Sequence, residues 1–356
     1  MADEKNTPSL DRRDFMKTSA AAVAGSALAT SGSASANSAE LDHRNERPDV
    51  MSYTKLGRTN FMCSKLVFGC GAALSGGRAV RLLERAFSKG VNHYDVGYDS
   101  YYKGSEKALK NFAQKHRDDI WITSKAPARG AIGVGNVGKY TVAMAKADSK
   151  SWLAEIDNSL RNIGVDYIDA YYLMMVGNAE AMKSEELYNT FLSAKKAGKI
   201  GYWGISTHLR AHECMEAAIE TGWYDLAMVG ITPGGWYDTA NKDILAARGT
   251  MKELKPILDK ARAAGIGLVG MKGARHIALK PYEGMMEGTI LGSTGAEPSM
   301  FDKLYNAKLM DSGLNPFQRS YAYLLENGMD VVNSDMQNFA HFEENIIAAR
   351  DSHKYA

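Results

Sequence analysis

The chain has 356 residues, 43 Lys+Arg against 41 Asp+Glu for a formal net charge of +2, 45% hydrophobic and 24% charged residues. This composition excludes a largely disordered chain, a collagen-like chain and a disulfide scaffold. The even charge balance supplies no basic field for nucleic acid, so no nucleic-acid partner is expected.

Arg12, Arg13, Asp14, Phe15, Met16 and Lys17 come first, followed by an Ala-rich apolar run from Ser19 to Ala29 and a small-residue stretch ending Ala34-Ser35-Ala36. The order resembles a bacterial twin-arginine signal peptide with an A-x-A cleavage site. It divides the chain into a signal peptide (1–36), a linker (37–52) and one folded domain (53–356). The resemblance implies handling by the twin-arginine translocase and a periplasmic mature protein. The apolar run is too short to span a membrane, so no membrane association of the mature form is expected. Cys63, Cys70 and Cys214 are an odd set without C-x-x-C spacing, which points to buried thiols and not to a metal site.

Short apolar runs then alternate with amphipathic ones. Strands are predicted at Leu66–Gly71, His93–Gly97, Ile120–Lys125, Ala170–Val176, Tyr202–Thr207, Ala227–Thr232, Gly267–Gly273 and Asp330–Asn333. Helices are predicted at Ala79–Lys89, Ser105–His116, Ser151–Ile163, Glu185–Ala197, Ala211–Thr221, Met251–Ala264, Pro316–Asn327 and Phe339–Arg350. The strand runs are mostly continuous in hydrophobicity, as in strands buried on both faces. Gly90, Gly164, Gly198, Gly222, Gly265 and Gly328 punctuate helix ends. Eight strand-then-helix units predict an α/β fold, a single-domain (β/α)8 TIM barrel. A doubly wound sheet is disfavoured because no G-x-G-x-x-G follows the first strand. Two long connections, Pro127–Ala147 and Ala274–Leu314, follow strand C-terminal ends and are expected to cover the site.

Several segments together resemble the aldo-keto reductase family. They are Leu56-Gly57-Arg58-Thr59-Asn60, Val67-Phe68-Gly69-Cys70-Gly71, Gly90-Val91-Asn92-His93-Tyr94-Asp95, Gly104-Ser105-Glu106, Ile122-Thr123-Ser124-Lys125, Asp166-Tyr167-Ile168-Asp169, Gly204-Ile205-Ser206-Thr207-His208, Met271-Lys272-Gly273 and Glu343-Glu344-Asn345. They run in unbroken order over residues 53–350. The resemblance implies hydride exchange between a nicotinamide cofactor and a small carbonyl or alcohol, with a tyrosine as proton donor. A phenol with a free pKa of about 10 needs a neighbouring ammonium to bring its proton within reach at neutral pH. Asp95 and Lys125 stand where the family has the supporting carboxylate and lysine.

The expected tyrosine position, five residues after the aspartate, is Ser100. A one-residue shift places Tyr101 in the proton-donor role, with Tyr102 and Tyr98 as alternatives. The family's histidine at the end of the fourth strand is replaced by Met174, which neither donates a strong hydrogen bond nor carries charge. His208, beside the next strand end, is the expected substitute.

The cofactor positions implied by the resemblance are Gly69, Cys70, Ser206, Thr207, Met228, Lys272, Asn333, Met336, Glu344 and Asn345. Ser206 and Thr207 fall where a polar pair holds the nicotinamide amide. Met228 replaces a glutamine there, and Ile231 an aromatic that stacks on the ring. Asn333-Ser334-Asp335-Met336-Gln337 occupies the phosphate segment, where Asp335 is an unfavourable carboxylate. His341 takes the place of an arginine that selects NADPH, so NADH is favoured over NADPH. The alternative left by these replacements is a non-catalytic barrel, without cofactor, that binds a periplasmic small molecule.

Overall fold

The computed structural model describes residues 40–238, 250–278, 296–334 and 336–356. The expectations for the signal peptide, for Asp335 and for much of the second long connection lie outside the described residues.

Eight parallel strands close on themselves. They are β1 (Leu66–Gly69), β2 (His93–Asp95), β3 (Trp121–Ala126), β4 (Ile168–Met174), β5 (Ile200–Thr207), β6 (Leu226–Thr232), β7 (Gly267–Met271) and β8 (Val331–Ser334). Each pairs with the next, β6 pairs with β7, and β8 returns to β1 through Val332↔Leu66, Asn333↔Val67 and Ser334↔Phe68. The outer helices are α1 (Arg81–Ser88), α2 (Ser105–Lys115), α3 (Val142–Ile163), α4 (Glu185–Lys196), α5 (Ala211–Thr221), α6 (Met251–Ala263), α7 (Pro316–Glu326) and α8 (Phe339–Asp351). This is the predicted (β/α)8 barrel.

Two apolar sets explain why the strands are hydrophobic on both faces. Leu66, Phe68, Tyr94, Ile122, Tyr171, Trp203, Ile205 and Val229 point outward beneath the helices. Val67, Trp121, Ala170, Tyr172, Leu226, Met228, Val269 and Val331 fill the barrel. Helix starts are capped as their sequences dictate: Thr141, Ser184, Asn315 and Asn338 accept backbone N–H groups in their first turns. Gly164 ends α3 in the left-handed region at φ 72°.

The segment expected to be a linker is structural. Arg44 is 7% exposed and lies beneath the barrel. Its Nη1 donates to Asp169 Oδ1 at 2.8 Å and to the Ile120 carbonyl at 2.7 Å, and its guanidinium sits 5.4 Å from the ring centroids of Phe61 and Trp121. Met51 is in the core, and Asp42 bridges to Phe61. Residues from Asp42 onward therefore plug the barrel floor, together with the hairpin Tyr53–Lys55 and Met62–Ser64.

The first connection holds a short helix, Arg129–Ile132, and α3 starts at Val142, earlier than predicted. All three cysteines are free and buried. Among the described residues, no helix is long and apolar enough to cross a membrane.

Candidate active site

The C-terminal strand ends gather a polar cluster inside an otherwise apolar barrel. Asp95 ends β2 and Lys125 lies near the end of β3, each 4% exposed. Lys125 Nζ donates to Asp95 Oδ1 at 2.7 Å and Oδ2 at 2.6 Å, and to the Val96 carbonyl at 2.6 Å. Burial raises the Asp95 pKa, while the Lys125 charge and the hydrogen bonds from Lys125 and Asn333 oppose that rise. Asn333, on β8, reaches in with Nδ2 2.7 Å from Asp95 Oδ2.

The tyrosine brought to this pair is Tyr102, not Tyr101. Lys125 Nζ lies 5.8 Å from the Tyr102 ring centroid. The ring occupies a slot made by two missing side chains. A Cβ on Gly71 would sit 2.6 Å from Tyr102 Cε1, and one on Gly97 would sit 2.5 Å from Cε2. The short helix Asp99–Tyr102 ends in two left-handed residues, Lys103 (φ 48°) and Gly104 (φ 87°), which turn the chain into α2. Tyr101 instead stacks on Tyr98, with centroids 6.1 Å apart, and meets Tyr102 edge-on at 4.9 Å. Burial, and then Tyr98, push the Tyr101 phenol up. Sequence spacing could not separate adjacent tyrosines. The glycines ending the two neighbouring strand runs were the signal that the ring would lie between them.

His208 is 7% exposed, and burial, then the Lys272 charge, push its pKa down to about 3. It is therefore a neutral imidazole at working pH. Met174, also buried, ends β4 opposite Ser206.

The expected cofactor residues divide into those that face the mouth and those engaged elsewhere. Ser206 Oγ faces the Met228 thioether at 4.0 Å, a weak contact that leaves donor capacity. Lys272 follows β7 at φ 64°, its Nζ 5.8 Å from the Tyr237 ring centroid. Gly69 pairs with Asp95 across β1–β2, and Cys70 begins a short helix, Cys70–Leu74.

Other expected cofactor residues are engaged within the protein. The Thr207 hydroxyl lies within hydrogen-bond reach of the Val176 and Leu209 carbonyls, has one proton to donate to either, and accepts the Leu209 N–H, so it is committed to its own loop. Asn333 Nδ2 donates to Asp95 Oδ2. The Met336 side chain is fully buried in the core. Asn345 Nδ2 donates to Ser334 Oγ at 3.0 Å, tying α8 to β8, while the Glu344 carbonyl accepts from Gln318 Nε2 at 3.0 Å. Met228 is buried with its sulfur 3.6 Å from Asn333 Nδ2, so it lines the interior.

A sequence model of the aldo/keto reductase family matches residues 66–272, and one of the twin-arginine translocation signal matches residues 9–29. The L-glyceraldehyde 3-phosphate reductase of Escherichia coli K12 is 29% identical over 179 residues, 46% of this chain and 47% of that protein, so the match spans about half its length. The holo form of an aldo-keto reductase from Bacillus halodurans superposes with a TM-score of 0.57 at 20% identity, over 84% of this chain and 90% of the other. A thermostable aldo-keto reductase in complex with the inhibitor epalrestat gives 0.55 at 19% identity, over 84% and 94%. At these identities the superpositions establish the fold.

Proposed function

The chain belongs to the aldo/keto reductase family, and on that premise we propose that it is an exported oxidoreductase interconverting a small carbonyl and its alcohol. The observation that carries the reading is the buried Asp95–Lys125 pair beside the Tyr102 ring. A nicotinamide cofactor, when bound, supplies or accepts the hydride. Ser206 would hold its amide end and Lys272 its phosphates. Tyr102 donates the proton that quenches the alkoxide, replacing the Tyr101 expected from spacing. The Lys125 ammonium lowers the cost of leaving a phenolate behind, and Asp95 keeps that ammonium charged and aimed. His208, being neutral, gives the oxygen no cationic support. NADH is the preferred cofactor, because His341 is exposed where a phosphate-binding arginine would be needed.

Export by the twin-arginine translocase places the protein in the periplasm, after cleavage following Ala36. The relative from Escherichia coli is named for a phosphorylated aldehyde, which puts small phosphorylated aldehydes first in a substrate screen. The test is a fluorescence titration of residues 37–356 with NADH and NADPH, followed by a carbonyl screen. Saturation by NADH with turnover supports the reading. Folded protein that binds neither nucleotide refutes it.

A second reading rests on the thioethers of Met174 and Met228, both buried, whereas Ile231 belongs to the core beneath the helices. It is a barrel that binds a small molecule without turnover, and the same titration decides between the two.

A further inference from the structure

We propose that Asn333 is a positioning residue for the acid–base pair, holding the Asp95 carboxylate ionised and in one plane from the opposite side of the barrel. This rests on the reductase reading for its kinetic consequence, but not for its structural one. Asp95 is buried and meets a single cation. Lys125 Nζ touches both carboxylate oxygens at 2.7 and 2.6 Å, an arrangement that still permits the carboxylate to rotate about its bond to Cβ. Asn333 Nδ2 adds a donor to Oδ2 at 2.7 Å from another strand. Two donors on different strands define the carboxylate plane; one does not.

The amide is itself fixed. Asn333 sits in a parallel register between Met271 on β7 and Val67 on β1, and faces into the barrel. Its nitrogen points at the carboxylate, because the amide oxygen there would set acceptor against acceptor. The same nitrogen lies 3.6 Å from the Met228 sulfur, so the residue bridges a thioether on β6 and a carboxylate on β2. Side chains of alternate strands share a layer in such barrels, and β2, β6 and β8 supply this one.

The titratable groups around the pair are His93 on β2, Lys125 on β3, Tyr172 on β4 and Tyr102. Gly69 on β1 and Asn333 on β8 do not titrate. Burial holds His93 neutral down to about 3 and lifts Tyr172 well above its ordinary range. Burial raises the buried carboxyls of Glu106 and Asp225 as well, so the Asp95 midpoint is read as the difference from a variant that lacks it.

The experiment uses Asn333→Leu, which removes the donor, and Asn333→Asp, which keeps the shape and sets a second carboxyl against the first. Asp95 is titrated by infrared difference spectroscopy in cofactor-free protein, with Asp95→Asn as the blank. The expected result is an upward shift of the midpoint by about one pH unit or more in both folded variants, the size of one hydrogen bond to a charged group. In turnover, kcat falls by roughly tenfold with KM within about twofold, and the acidic limb of the pH profile moves up in step. An unchanged midpoint in either folded variant overturns the proposal, and so does an unchanged kcat when the wild type turns over. If the wild type neither binds nucleotide nor turns over, the reductase reading has failed, and the cofactor-free titration still decides the role of Asn333.

Discussion

Gly97→Ala tests the placement of Tyr102 directly. Gly97 has an ordinary φ, so alanine brings no backbone strain there. The added Cβ would lie 2.5 Å from Tyr102 Cε2, 2.8 Å from Cδ2 and 3.2 Å from Lys125 Cγ. Carbon atoms prefer separations of about 3.5–4.0 Å, so the ring must retreat by about 1 Å. It cannot simply slide across its slot, because Gly71 closes the other side with backbone. A displacement of that size at a reacting group is worth about 100-fold in rate. Gly71→Ala is the companion test. Gly71 lies in the helix Cys70–Leu74, where alanine is intrinsically preferred by about 1 kcal/mol, yet its Cβ would meet Tyr102 Cε1 at 2.6 Å. Both variants should keep a cooperative melt and lose kcat/KM by about two orders of magnitude in a coupled NADH assay. Wild-type turnover in either folded variant would show that Tyr102 in this slot is not the proton donor.

Other expectations follow from the same geometry. Tyr102→Phe should lower kcat by about 100-fold or more, while Tyr101→Phe retains most of it; the reverse would restore Tyr101 to the donor role. Arg44→Met leaves the Asp169 carboxylate buried beside Arg117 alone, and should cost about 3–5 kcal/mol in urea unfolding. His93, His208 and His276 all have folded pKa values of about 3, below the unfolded value of about 6.5. Their contribution to stability is thus complete above about pH 6.5 and is lost as pH falls toward 3. Three such groups give a slope approaching about 4 kcal/mol per pH unit in that window. Urea melts at pH 7.5, 5.5 and 4.5 measure it, and His93→Gln should reduce it by about a third. His341→Arg should tighten NADPH by about tenfold with little change for NADH, read by the same fluorescence titration.

The barrel was legible because continuous apolar runs and helix-ending glycines are backbone-level signals. Where the reading slipped, a buried charge was the cause. β4 starts at Ile168 and not at Ala170, because Asp169 is a floor residue neutralised by Arg44 and Arg117. In the sequence it reads as the end of a loop. Arg44 was assigned to a linker for the same reason: an arginine in a charged stretch looks solvated until its partner, 125 positions later, is known. Asp95 and Lys125 were recoverable because each lies at a strand end of fixed register. Thr207, Met336 and Asn345 were not. Their positions along the chain match cofactor-binding ones, but where each side chain's hydrogen bonds or apolar surface go is decided by its neighbours in space.

Two of the replacements, Met174 on β4 and Met228 on β6, fall on one side of the barrel. On the proposed reading, proton handling uses β2, β3 and the loop after β2, where Asp95, Lys125 and Tyr102 are in contact range and Gly71 and Gly97 leave room for the ring. On the same reading, recognition of the carbonyl and the nicotinamide amide would fall to β4, β5 and β6, where Met174 and Met228 supply thioethers and Ser206 a hydroxyl. A thioether accepts a hydrogen bond weakly and donates none. Substrate orientation in such a site must come from shape and from groups remote from the reacting carbon, because binding energy from those groups can be used at the reacting centre. A truncated substrate should then lose kcat as well as affinity. That couples the two halves: a well-ordered proton donor is useful only to a substrate large enough to be held by the walls around it.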